Sequence, residues 1–347
     1  MKKATIKTIS DRSGLSTATV DRVLNNRPGV SASARHKVLS VARDLGYLPE
    51  EDSTPMPAQP AQLEFLMPIG TNAFLRELAY QIEDFCDRLP LVASVKLHQL
   101  KGLEPEHLEE AAAELSPSTS GVGVVATDHP RTRELLKDLT QTGTRVVTIA
   151  SDVPSIPRAA YVGVDNVAAG RVAGLLTGRL IGKRPARVGI ILGSRRYRGH
   201  EEREMGYRSI LQEEFPGITV TSSGEVQDGR TESYDLVKSL LAEDPGISGL
   251  YCVGGGRSGV AQALKEAGRA QEVVFICHDH TDESRKFLLD GTVDAVIDQN
   301  ARLIAEQAVI ALLGSIATSL PTLMRKFIEP RIIFKENIPT TMQSPSV

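Results

Sequence analysis

Residues 4–49 read ATIKTISDRSGLSTATVDRVLNNRPGVSASARHKVLSVARDLGYLP. Ile6 and Ile9 set an apolar stripe on a short first helix, and the small Ser10 and Ser13 let a neighbouring helix approach closely. Gly14-Leu15-Ser16 supplies a turn: glycine takes the left-handed backbone, Leu15 buries, and Ser16 caps the second helix. In that helix Val20, Val23 and Leu24 face inward, which leaves Thr17, Ala18, Asp21 and Arg22 projecting outward. A third helix is expected after Ser31, burying Val38, Leu39, Ala42 and Leu45. A short helix held by two others, with small residues and an arginine on its exposed side, fits a DNA major groove. Arg22 would make a bidentate contact to guanine there, and Thr17 or Ala18 an apolar contact to a thymine methyl. The periodicity alone fits a plain three-helix bundle equally well.

Charge favours the first reading. The whole chain carries −3 at pH 7, yet residues 1–50 hold nine Lys/Arg against four Asp/Glu, a local +5 on a body of −8. A basic head on an acidic body suggests that only the head meets a polyanion. Tryptophan is absent and aromatics make up 4% of the chain, which argues against a stacking platform for single strands. No apolar run approaches the roughly 20 residues of a membrane helix, and the N-terminus lacks a signal-peptide core. A cytoplasmic protein with no membrane partner is therefore expected. Cys86, Cys252 and Cys277 are widely spaced with no CxxC, which suggests neither a disulfide frame nor a zinc cluster, and two of them sit in apolar strand-like runs and read as buried inert thiols.

Beyond the head, residues 49–61 (PEEDSTPMPAQPA) read as a linker or hinge, because four prolines oppose regular structure. From residue 62 to about 339 short Val/Ile-rich runs alternate with amphipathic segments. Strands are expected at 63–67, 92–97, 121–126, 145–150 and 161–164, then at 187–192, 218–223, 249–254, 273–277 and 293–298. Helices are expected between them, for example at 73–88, 131–141, 166–182, 202–214, 231–242, 257–267 and 300–313. Strands buried on both faces, joined by helices, predict parallel doubly wound sheets. Ten strands in two series predict two lobes, roughly 62–162 and 163–294, with crossovers near 163, 298 and 322. The fold class is thus α/β: a three-helix head on residues 1–48, then two doubly wound parallel-sheet lobes. Asp165 and Asp228 read as helix N-caps, and Gly182 and Gly268 as C-terminal stops.

The string TIKTISDRSGLSTATVDRVLNN, with VS and LGY-x-P after it, resembles the head of LacI/GalR-family repressors over residues 4–49. The resemblance implies that Thr17, Ala18 and Arg22 read bases and that Ser16, Thr19 and Asn25 lie near phosphates. Asp21 departs from the family's usual serine; its carboxylate would repel phosphate or accept a hydrogen bond from cytosine N4. The linker departs too, since it lacks the family's hinge-helix pattern with its leucine wedge. The body resembles the type I periplasmic sugar-binding fold, whose pocket forms at strand C-terminal ends.

Polar residues just after strands are therefore the candidates for an effector site. Asn72 would cap a helix and Phe74 would stack on a sugar face or serve as core. Asp128 comes after the third strand. Asp152 comes after the fourth and could accept two hydrogen bonds from vicinal hydroxyls. Arg203 in Arg-x-x-Gly-aromatic resembles the family's arginine clamp on ligand oxygens; a surface salt bridge with Glu201 or Glu202 is the plain alternative. The resemblance carries over Asp279 and Gln299, and with them His278. No metal site is expected from His278 and His280.

One motif points elsewhere. Gly254-Gly255-Gly256-Arg257-Ser258-Gly259 matches G-x-G-x-x-G after a strand, with Asp279 about 20 residues on, as NAD sites require. A nicotinamide oxidoreductase is thus the rival reading, and an effector-independent DNA-binding protein is another. The oxidoreductase leaves residues 1–48 unexplained, and neither a nucleophile elbow nor a phosphate loop is present. The expected protein is a non-enzymatic regulator without cofactor, a homodimer on double-stranded operator DNA. Its effector is expected to be a small sugar or polyol.

Overall fold

A computed structural model of the chain describes residues 5–24, scattered positions between 30 and 47, and residues 56–70, 72–182, 184–317 and 324–339. Two compact units separate, Met1–Thr54 and Pro55–Val347.

In the first unit, α1 spans Ile6–Ser13 and α2 spans Thr17–Leu24. Thr5 caps α1, its side chain accepting from the Thr8 amide, and Gly14 ends it at φ 66°. A side chain there would be strained, so the turn depends on glycine. Ser10 Oγ donates to the Leu15 carbonyl at 2.6 Å, tying α1 to the turn. Ser16 Oγ accepts from the Thr19 amide at 3.2 Å and so starts α2. Ile9, Val20, Val23, Val38 and Ala42 are buried together. Backbone at 34, 37–38 and 40–42 is helical, as the third-helix expectation requires. Asn25, Leu39 and residues 49–55 of the linker lie outside the described residues.

The second unit is two parallel-sheet lobes. The first sheet holds β1 (Ala61–Met67), β2 (Val92–Gln99), β3 (Gly121–Val124), β4 (Arg145–Ile149), β5 (Ala160–Val164) and β11 (Met324–Ile328), in the order β11-β5-β4-β3-β1-β2. The second holds β6 (Ala186–Leu192), β7 (Ile218–Glu225), β8 (Ile247–Cys252), β9 (Val274–His278), β10 (Ala295–Asp298) and β12 (Arg331–Ile333), in the order β12-β10-β9-β8-β6-β7. All pairings are parallel except β10 with β12. β3, β4 and β5 are buried almost throughout, as central strands with helices on both faces must be. β2, at a sheet edge, is mostly open to solvent. The ten expected strands are present. β11 and β12 are additional, and each occupies a sheet edge that the return path of the chain completes.

Helices α3 (Ala73–Asp87), α4 (Pro105–Ala113) and α5 (Pro130–Gln141) belong to the first lobe. Helices α6 (Asn166–Ile181), α7 (Arg198–Glu214), α8 (Arg230–Glu243), α9 (Arg257–Glu266) and α10 (Asp282–Leu289) belong to the second. The last helix, α11 (Ala301–Ala317), returns to pack on the first lobe. The chain therefore passes between the lobes at 164–166, 298–301 and 328–331. Asp165 caps α6 by accepting from the Ala168 amide, and Gly182 ends it at φ 82°. Burial pushes the thiols of Cys86 and Cys277 up to about 12, and that of Cys252 up as well, so all three are inert. No described helix is long and apolar enough to cross a membrane.

The contact between α6 and α7 positions the site. A Cβ on Gly170 would stand 2.0 Å from the Arg203 carbonyl oxygen, and one on Gly206 would stand 2.1 Å from the Val167 carbonyl oxygen. The two backbones touch, which fixes where Arg203 leaves α7. Gly170→Val should push the helices apart, lower the melting temperature by several degrees and weaken effector binding; calorimetry that finds the variant as stable as wild type would contradict this packing.

Candidate functional site

A small cavity of about 40 Å³ lies between the lobes. The ends of the parallel strands build it. Its first-lobe wall includes Asn72, Phe74, Ala150 and Ser151; its second-lobe wall includes Tyr197, His200, Arg203, Asp228, Gly254, Asp279 and Gln299. Five non-glycine residues among those described have positive φ: Ala150, Gln227, Asp228, Asp279 and Asn300. Each lines the cavity or adjoins a residue that does. Such backbone costs of order 1–3 kcal/mol per residue and gathers where a site requires it.

Arg203 is the strongest feature. It is 3% exposed, donates through Nε to Asn166 Oδ1 at 2.8 Å, and through Nη1 to the Val253 carbonyl at 2.9 Å. Asn166 in turn donates to the Tyr161 hydroxyl at 3.3 Å, so a buried polar chain holds the guanidinium in place. No carboxylate oxygen among the described residues lies within 4.0 Å of it, so the salt-bridge alternative with Glu201 or Glu202 does not hold. A buried guanidinium with donors to spare is suited to oxygen atoms of a ligand.

Below it, Asp279 accepts from Gln299 Nε2 at 2.7 Å and pairs with Arg257 at 3.3 Å. Burial raises the Asp279 carboxyl above its ordinary value, against the pull of Arg257. Gln299 Oε1 is buried without a partner, an acceptor in need of a donor. Asn72 caps α3 by accepting from the Phe74 and Leu75 amides, and Phe74 lies on that first turn, 6% exposed. Asn72, Phe74, Arg203, Asp279 and Gln299, all expected here, are thus brought together.

Three expected residues are placed elsewhere. Asp152 is turned away: it accepts from the Thr148 hydroxyl at 2.8 Å and pairs with Arg158 at 2.6 Å, both buried. The positive φ of Ala150 shifts the register, so Ser151 rather than Asp152 faces the cavity. Asp128 pairs with Arg133 at 2.6 Å outside the lining. His278 lies beneath the cavity, fully buried, its Nε2 bonded to the Tyr251 hydroxyl at 2.7 Å. His200 and Asp228 are among the lining residues that the sequence did not nominate. Asp228 is not the N-cap of α8, a position Gly229 takes; its carboxylate faces the cavity instead.

His200 gives the site a pH signature. Burial pushes it from 6.5 down to about 4, with Asp228 opposing and Arg203 assisting, so it is neutral at pH 7. The unfolded chain takes up this proton near 6.5 and the folded one only near 4. Stability is therefore full above about 6.5 and falls with pH, by up to about 1.4 kcal/mol per unit, until about 4. His278, also pushed well down by burial, adds in the same direction. The melting temperature should drop between pH 7 and 5, and His200→Gln should flatten the drop; parallel curves for the two proteins would refute the assignment.

In the separate head unit, α2 leaves Ser16, Thr17, Ala18 and Arg22 exposed, while Val20 and Val23 are buried. Ala18 and Arg22, four residues apart, share one face. Thr19 and Asp21 are half-buried beside them.

Comparison with known proteins gives the same division. Residues 5–50 match the model of bacterial regulatory proteins of the lacI family, and residues 63–316 match a periplasmic binding protein domain. The chain is 28% identical over 142 residues to the D-allose-binding periplasmic protein of Escherichia coli, covering 41% of this chain and 45% of that protein, less than half its length. It is 25% identical over 254 residues to the HTH-type transcriptional regulator GntR of Escherichia coli, covering 72% of this chain and 73% of that one. The crystal structure of a solute-binding protein from Burkholderia graminis in complex with D-arabinose superposes with a TM-score of 0.76 at 20% identity, over 82% of this chain and 99% of that one. That likeness shows the fold alone. The chain belongs to the periplasmic binding protein domain family through residues 63–316, and its head at residues 5–50 matches the model of bacterial regulatory proteins of the lacI family.

Proposed function

We propose that the protein is a DNA-binding transcriptional repressor whose operator affinity is set by a small neutral sugar or polyol held between its lobes. The observation that carries the effector half is Arg203, a buried guanidinium with no carboxylate partner among the described residues, on the wall of an interlobe cavity. On the DNA side, α2 would enter the major groove, with Thr17, Ala18 and Arg22 toward bases and Ser16, Thr19 and Asn25 toward phosphates. Asp21 would accept from a cytosine amine. A homodimer in the cytoplasm would present two heads to half-sites about one helical turn apart. The sugar would shift operator affinity only as far as it prefers one lobe arrangement over another.

The nicotinamide alternative loses its support at the glycine loop. Its Gly255 N–H, which would face a pyrophosphate, donates to Asp228 at 2.6 Å, and Asp279 is held by Gln299 and Arg257 rather than open to a ribose. The named relatives are a transcriptional regulator and a binding protein. A thermal-shift panel of D-allose, D-arabinose, D-ribose, polyols and NAD separates the readings. A sugar at 100 times its Kd should add about 2.7 kcal/mol and raise the melting temperature by several degrees. A shift with NAD and none with any sugar would overturn the proposal.

A further inference from the structure

Asp228 stands in a strained turn after β7. Gln227 and Asp228 have φ of 47° and 59°, two consecutive residues in the left-handed region. That turn sends the carboxylate back into the cavity rather than along α8. Oδ1 accepts from the Gly255 amide at 2.6 Å; Oδ2 accepts from Asn72 Nδ2 at 2.7 Å, across the cleft from the other lobe. Three glycines keep the space clear. A Cβ on Gly193 would stand 2.0 Å from Asp228 Oδ1, one on Gly254 would stand 2.6 Å from it, and one on Gly255 would stand 2.6 Å from Asp228 Cβ. Of the glycines that resemble a dinucleotide loop, Gly254 and Gly255 leave bare backbone beside this carboxylate, whereas Gly256 and Gly259 leave room for Ser233 and the Arg230 carbonyl of α8.

No Lys or Arg nitrogen among the described residues lies within 4.0 Å of Asp228, and a carboxylate offers about four acceptor positions, of which two are taken. The second carboxylate of the cavity, Asp279, already has Arg257. The lining thus sets one anion without a cation, Asp228, against one cation without an anion, Arg203. Their charges balance, which suits an uncharged ligand. A ligand carrying its own carboxylate or phosphate would bring like charge against Asp228 in a site with little water to screen it. Asn72 and Asp228 also line a wider outer cleft of about 740 Å³, so their hydrogen bond forms part of the wall between the cavity and that cleft.

The geometry points to Asp228 as the specificity-determining residue of the cavity: it accepts hydrogen bonds from the effector's hydroxyls and excludes sugar acids and sugar phosphates. This rests on the sugar-sensor reading above. The test is calorimetric titration of the full chain with D-allose, D-arabinose and D-ribose, each beside its aldonic acid and its terminal phosphate. Wild type should bind at least one neutral sugar and bind that sugar's acid and phosphate at least 100-fold more weakly. Asp228→Asn should lose at least 10-fold in affinity for the neutral sugar and at least 10-fold in discrimination against the charged forms. Asp228→Glu keeps the charge, so it should lose affinity while still rejecting the acids, an asymmetry that a merely structural role would not produce. If Asp228→Asn binds and discriminates within threefold of wild type while Arg203→Ala does not bind, the Asp228 role fails and the sensor reading stands. If wild type binds none of the neutral sugars, both fail.

Discussion

Arg203→Ala should lower affinity for the sugar effector by about 100-fold or more and remove its influence on operator binding. The guanidinium spends Nε and one Nη1 proton on Asn166 and Val253, and its remaining N–H groups belong to the cavity it lines. Hydrogen bonds to a buried charged group are worth about 1.5–3 kcal/mol each. Two of them lost to a ligand amount to about 3 kcal/mol or more, hence the factor. Arg203→Lys keeps the charge but not the planar fork, and should recover only part of the affinity. Calorimetry on the sugar that raises the melting temperature checks both variants. Binding by Arg203→Ala within threefold of wild type would remove Arg203 from the effector site.

The second large effect is expected in the head. Arg22→Ala should weaken binding to a specific operator by about 1–3 kcal/mol, roughly 5- to 150-fold, and should relax specificity at one base position. Arg22 is exposed on α2, and Ala18 lies one turn away on the same face, whereas Val20 and Val23 anchor the other face in the small core. Fluorescence anisotropy against an operator selected from a random duplex pool, and against unrelated duplex, distinguishes base reading from phosphate contact. Equal losses on both DNAs would assign Arg22 to the backbone instead.

Much of this arrangement was legible in the sequence because it obeys local rules. Apolar Val/Ile runs separated by helical periodicity marked the strands, and a polar residue before a helix marked Asn72, while Asp279 and Gln299 came from the family resemblance. Arg203 needed more than periodicity: the same helix surface offered Glu201 and Glu202, and burial against α6 turned it inward. Where backbone conformation redirected a side chain, residue order misled. Positive φ at Ala150 moved Asp152 out of the cavity into its pair with Arg158. Positive φ at Gln227 and Asp228 moved an apparent helix cap into the cavity. Gly254 and Gly255 advertised bare backbone without saying what fills the space beside it, and a carboxylate from a neighbouring loop does. β11 and β12 escaped notice because Arg325 and Lys326 interrupt the apolar run of β11 and β12 is only three residues long.

A sugar site and a DNA site in one chain matter to regulation only if they are coupled, and operator titration with and without the sugar tests that coupling most directly. With the sugar found in the thermal screen at saturation, operator affinity should change by about 5- to 150-fold, and saturating operator should change sugar affinity by the same factor, as linkage demands. Sugar that binds the protein yet leaves operator affinity unchanged would contradict the proposed regulation.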